Sequence, residues 1–145
     1  METYLQMLYP IHPKLVHFPI ALIFSAMGLQ VLGMVFNSDT LCKSAWVMFI
    51  VAVIFMPGVV LSGLWEANYL NLHHPVLDLH KRFAFYVLWS SLAGLVIMPI
   101  IWLFKGDRFF RVVFLILLVF ITGVLTFAAH QGGRMVYEYG VGVSQ

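Results

Sequence analysis

The 145-residue chain is 62% hydrophobic and only 10% charged, with a mean hydropathy of +0.96. Soluble domains carry about 25% charged residues, and one this small buries only about two-thirds of its surface, so the missing charge cannot be hidden in a core. A water-soluble globule and a disordered chain are excluded, leaving one integral membrane domain over residues 1–145. The net charge of +2 gives no reason to expect nucleic acid as a partner. A single cysteine, Cys42, excludes an internal disulfide, a four-thiolate iron–sulfur cluster and a CxxCH haem attachment.

Residues 1–10 lack the basic start and small-residue cleavage site of a signal peptide, and read as an interfacial segment with Tyr4 and Tyr9 at headgroup level. Four apolar runs follow, at 15–36, 45–65, 83–104 and 109–129. Each meets the length of about 20 residues that crosses a bilayer. Pro57 and Pro99 fall inside runs, where neighbouring helices can satisfy the freed carbonyls. Residues 37–40 and 105–108 make short turns, and 66–82 is long enough for an excursion along the membrane surface. Short turns imply antiparallel neighbours, so the expected fold is all-α: a membrane-spanning up-down-up-down four-helix bundle. One face, side A, then holds both termini and the middle connection, and side B holds the two short turns. Lys14, Lys81, Arg82 and Arg134 fall on side A and Lys43, Lys105, Arg108 and Arg111 on side B, which leaves orientation open. All six histidines (His12, His17, His73, His74, His80 and His130) fall on side A, with Glu66.

The chain also reads as two repeated hairpins. His12-Pro13 and His74-Pro75 each open a helix, with a leucine and a second histidine, His17 or His80, one turn in. Proline suits the first helical turn, where its absent N–H is not missed. The second helices match more loosely, Gly58 with Gly123, which sets Trp65 against His130. Two such hairpins would be parallel repeats about an axis along the membrane normal. His17 and His80 are then expected to face each other across the core, with His130 at the same depth.

Histidine at the rim of a membrane span is a functional candidate. His12, His73 and His74 lie outside the apolar runs, where ordinary interfacial histidines are common. His17, His80 and His130 come from three helices at one level, and three imidazoles suit haem iron or another metal ion. A haem needs axial histidines, a slot between helices and cations for its propionates. Lys14, Lys81, Arg82 and Arg134 are the candidate cations, Phe18, Phe83, Phe85 and Trp65 the candidate walls, and His17 with His80 the expected axial pair. A three-histidine site with Glu66 would instead suit zinc or non-haem iron.

The opening run from His12 to Leu22, His80, and the closing run His130-Gln131-Gly132-Gly133-Arg134 through Val143 resemble a bacterial family of predicted four-helix membrane proteins of unknown function. The resemblance covers essentially the whole chain and implies a multi-pass protein of the bacterial inner membrane. Its histidine pattern is similar to that of small b-type cytochromes, and its members often accompany redox proteins. That implies haem b at His17, His80 and His130, and an electron-transfer subunit between the quinone pool and a redox partner more than a stand-alone enzyme. A non-catalytic anchor of a larger complex, or a non-haem metal or proton-handling protein, stays open beside it, as does homo- or hetero-oligomerisation. The glycine-rich close, from Gly132 onward, is expected to leave the helix and fold over side A.

Overall fold

The structure, a computed structural model, describes residues 11–140. Four helices follow one another: α1 (His12–Val35), α2 (Asp39–Tyr69), α3 (Pro75–Lys105) and α4 (Asp107–Tyr137). All four are long and apolar enough to cross a membrane. The starts follow local chemistry. Pro13 and Pro75 occupy the first turns of α1 and α3, the Ser38 hydroxyl accepts from the Leu41 amide at the head of α2, and the His74 ring accepts from the Val76 amide at the head of α3. Between α3 and α4 the chain reverses on Gly106, whose φ of 79° lies where glycine is at ease.

The helices outrun the apolar runs that announce them. α2, α3 and α4 have 31 residues each, about 46 Å at 1.5 Å per residue, against a hydrocarbon layer of about 30 Å. The extra turns absorb most of the expected surface excursion, so the connection from α2 to α3 shrinks to residues 70–74. Gly132 and Gly133 likewise stay helical, because α4 continues to Tyr137. Polar residues end a membrane crossing without ending a helix. The readings of residues 1–10 and 141–145 lie outside the described residues.

Each hairpin packs closely within itself, α1 on α2 and α3 on α4, and only lightly against the other. Toward side B the seam is filled by aromatic rings. Trp46 stacks on Phe49 at 5.4 Å, and Phe49 meets Phe114 edge-on, also at 5.4 Å. Toward side A the hairpins leave a cavity.

The two hairpins are repeats, in a different register from the one the His-Pro pairs suggest. In the first helices, equivalent residues are 68 apart. Pro19, Ile23, Ala26 and Gln30 are buried in α1, and Val87, Ser91, Gly94 and Met98 are buried in α3. In the second helices the spacing is 69. Ala45, Phe49, Ala52, Val53 and Val59 answer to Phe114, Leu118, Ile121, Thr122 and Ala128, all of them buried. Asn37 and Gly106, both at positive φ, are the matching turn residues. In this register His80 answers to His12, and His17 answers to Phe85.

Candidate functional site

At side A the structure brings His80 together with His12, and not with His17, the partner expected from the sequence. The His12 and His80 rings lie 6.3 Å apart between centres, with their planes at 81°. His12 is the first residue of α1 and His80 sits five residues past Pro75 in α3, so diagonal helices supply the pair.

Each imidazole is held the same way by its own hairpin. The His12 Nδ1 donates to the Val59 carbonyl at 3.0 Å, and the Ser62 hydroxyl, 3.1 Å from that nitrogen, donates to the same carbonyl at 2.7 Å. The His80 Nδ1 donates to the Ala128 carbonyl at 2.8 Å. A carbonyl only accepts, so both rings carry a proton on Nδ1, and in the neutral ring the lone pair is then on Nε2. Four residues beyond each carbonyl lies a glycine that makes room for the ring. A Cβ on Gly63 would stand 2.8 Å from the His12 Cε1, and one on Gly132 would stand 3.3 Å from the His80 Cε1.

The cavity around the pair has a volume of about 150 Å³. Its walls are apolar and come from all four helices, among them Val16, Met56, Phe85 and Leu125. Lys81, Glu66 and Met135 also line it. Glu66 has a specific bond: its Oε2 accepts from the His12 amide at 3.1 Å.

The other expected site residues are elsewhere. His17 and His130 are exposed, as are Lys14 and Arg82. In a helix a residue five positions on from His12 is turned well away from it, which puts His17 on an outer face. His130 misses the cavity because Ala128 and Gln131 occupy the inward face of α4 at that level. Arg134 bonds Glu138 at 2.9 Å, Gln131 at 3.3 Å and the Tyr139 hydroxyl at 3.0 Å. The Tyr139 ring lies 4.6 Å from His74, so this part of the chain end does fold over side A. Of the expected walls, Phe85 lines the cavity, whereas Phe18 packs on Phe55 and Phe83 on Phe127. Gly58 and Gly123 face open space. Among the described residues no three histidine, cysteine or carboxylate side chains gather to hold a metal ion, so the expected cluster of His17, His80 and His130 does not form.

A family profile described as "Predicted membrane protein (DUF2231)" matches residues 8–145. The chain belongs to that family. It is a multi-pass membrane protein, and the family's description assigns no activity. No curated protein and no solved structure matches the chain. Sequence reasoning passed over His12, Gly63 and Gly132. The one available signal for His12 was a basic residue two positions on, Lys14 after His12 and Arg82 after His80.

Proposed function

We propose that this DUF2231 protein is a membrane redox subunit that holds haem b between His12 and His80 and passes electrons between the quinone pool and a redox partner. The imidazole pair carries the reading. Two imidazoles on opposite sides of one metal ion have ring centres roughly 6 Å apart, from metal–nitrogen bonds of about 2.0–2.1 Å on each side and about 1 Å more to each ring centre. The separation here is 6.3 Å. Axial histidines characteristically donate their other N–H to a carbonyl, which fixes the tautomer and strengthens the ligand; Val59 and Ala128 do this for His12 and His80. Bound haem supplies one-electron chemistry. The chain's own part is to present two neutral imidazoles, exclude water with the apolar wall, and keep Lys81 at the cavity for an anionic edge.

The donors fit haem, and the volume makes a demand. A cavity near 150 Å³ is of the size that takes a benzene, so a porphyrin requires the two lightly joined hairpins to part along their seam. The same volume favours a second reading, a quinol head group whose hydroxyls donate to the two free Nε2 atoms.

Optical and electron paramagnetic resonance spectra of the protein purified from a haem-replete host separate the two. The haem reading expects a Soret band, and a ferric spectrum with one strongly low-field g feature, because near-perpendicular imidazole planes leave the iron orbitals almost degenerate. A colourless protein that releases quinone on extraction moves the assignment to the quinol. A protein holding neither leaves the anchoring role.

A further inference from the structure

The two histidines are held alike by their rings and differently by their backbones. His80 lies inside α3, whose start is capped from its own chain by His74, the Val76 amide reaching the His74 Nδ1 at 3.2 Å. His12 is the terminal residue of α1, and the preceding Ile11 offers no side-chain cap. The first turn of a helix leaves its amides without partners inside the helix. Here Pro13 has no N–H to satisfy, and the amides of Lys14 and Leu15 both reach the Ile11 carbonyl at 3.1 Å. The His12 amide remains, and a carboxylate from another helix takes it: Glu66 Oε2, at 3.1 Å. A carboxylate there also meets the positive end of the α1 dipole. In the second hairpin the position equivalent to Glu66 is Met135, which cannot do this.

We propose that Glu66 is a positioning residue, which caps α1 from α2 and thereby fixes His12 at the depth where its ring meets that of His80. The consequence for ligation rests on the haem reading above, while the capping itself does not. His12 is then the ligand that leaves when the latch is broken, and His80 the one that stays.

Two measurements on the full chain in detergent or nanodiscs test this. Hydrogen exchange at the His12 amide should rise about five- to tenfold in Glu66→Ala, the scale of a lost helix cap. It should stay at the wild-type rate in Glu66→Gln, whose side-chain oxygen still accepts, and in Met135→Ala. On the haem-loaded protein, Glu66→Ala should bind carbon monoxide in the ferrous state within mixing time, with wild type and Glu66→Gln remaining six-coordinate. An unchanged His12 amide in Glu66→Ala, or failure of glutamine to restore it, overturns the proposal whether or not haem is present. Absence of haem from the wild type defeats the function proposed above, and the exchange measurement still decides the cap. A raised exchange rate in Glu66→Ala with carbon monoxide entering, or excluded from, wild type and Glu66→Ala alike overturns the link to ligation.

Discussion

Laid over each other 68 or 69 residues apart, the two hairpins bury the same positions with different side chains. Where the first half has Ala45 and Ala52, the second has Phe114 and Ile121, and Phe49 stands opposite Leu118 in the same alignment. Among the described residues, three buried polar atoms without hydrogen-bond partners, Gln30 Oε1, Ser91 Oγ and Thr122 Oγ1, have apolar equivalents in Met98, Ile23 and Val53. What both halves keep is the device at side A: an imidazole, a carbonyl to orient it and a glycine beneath it. Core positions drift as long as volume is filled, whereas a ring that must present one nitrogen to the cavity needs its orienting partner. The pairing therefore sets His12 and His80 apart from the other four histidines, as the two rings that the halves hold in the same way.

The hardest way to break this comparison is to remove one imidazole from each half in turn. On the haem reading proposed above, His12→Ala and His80→Ala should each abolish the six-coordinate low-spin spectrum, and the double variant should hold no haem. His17→Ala and His130→Ala should leave the spectrum as it is. If either of these last two removed the low-spin form, the 68-residue register would not describe the site.

A second test compares the filled cores. Phe49 is completely buried against Trp46 and Phe114, and Leu118, its counterpart, is completely buried as well. Phe49→Ala should cost about 3–5 kcal/mol and Leu118→Ala about 2–5 kcal/mol, read as earlier unfolding in a denaturant titration of the detergent-solubilised protein. Spectra of the folded fraction should be unchanged, because these rings lie toward side B.

How much of this could be read from the sequence follows from which signals are local. The four crossings are local, because some twenty apolar residues in a row have few other uses, and the helix starts at Pro13 and Pro75 are local too. The repeat was visible as a fact and misleading in its register. His12-Pro13 and His74-Pro75 match as letters, yet His74 caps α3 from outside while His12 enters the cavity. True equivalents such as Pro19 with Val87, or Ile23 with Ser91, share burial and little else, and burial is a property of the assembled bundle. His17 and His130 were reasonable by depth, and direction around the helix axis decided against them. In a helix with apolar residues on every side, hydropathy does not say which face is inside.

The glycines beneath the rings separate the halves more finely. At Gly63 a new methyl would stand 2.8 Å from Cε1 and 2.9 Å from Nδ1 of His12, so the ring must shift and its bond to Val59 is strained. At Gly132 the nearest atoms of His80 are 3.3 and 3.4 Å away, a few tenths of an ångström from ordinary contact. Gly63→Ala should cost about 1–3 kcal/mol, in the range of an overpacked core, and loosen the His12 ligand. Gly132→Ala should cost less and keep the low-spin spectrum. Equal effects would mean that the two rings are held with equal slack.

The smallest effect is expected at the side B turns, where Asn37 and Gly106 take the same place at φ of 50° and 79°. A Cβ on Gly106 meets no atom within 4 Å, so space does not decide the outcome there. Backbone conformation does. At φ 79° and ψ 176° Gly106 lies in a region that essentially glycine alone adopts, so Gly106→Ala should destabilise by at least about 1 kcal/mol. Asn37, at φ 50°, is of a residue type that tolerates positive φ, and Asn37→Gly relaxes the turn while giving the unfolded chain more freedom to lose. The two terms oppose each other, and the net change should stay within about 0.5 kcal/mol, the range of an uneventful surface substitution. Neither variant should alter a spectrum that reports on His12 and His80, since the turns lie at the opposite end of the bundle. A denaturation series of Asn37→Gly, Gly106→Ala and Gly106→Asn checks the ordering, with asparagine at 106 no better than alanine, because its tolerance of positive φ is confined to the left-handed region. Should Gly106→Asn recover what Gly106→Ala loses, the turn at 106 would be able to relax into the left-handed region that asparagine tolerates, and the conformation rather than the residue type would be what the two turns share.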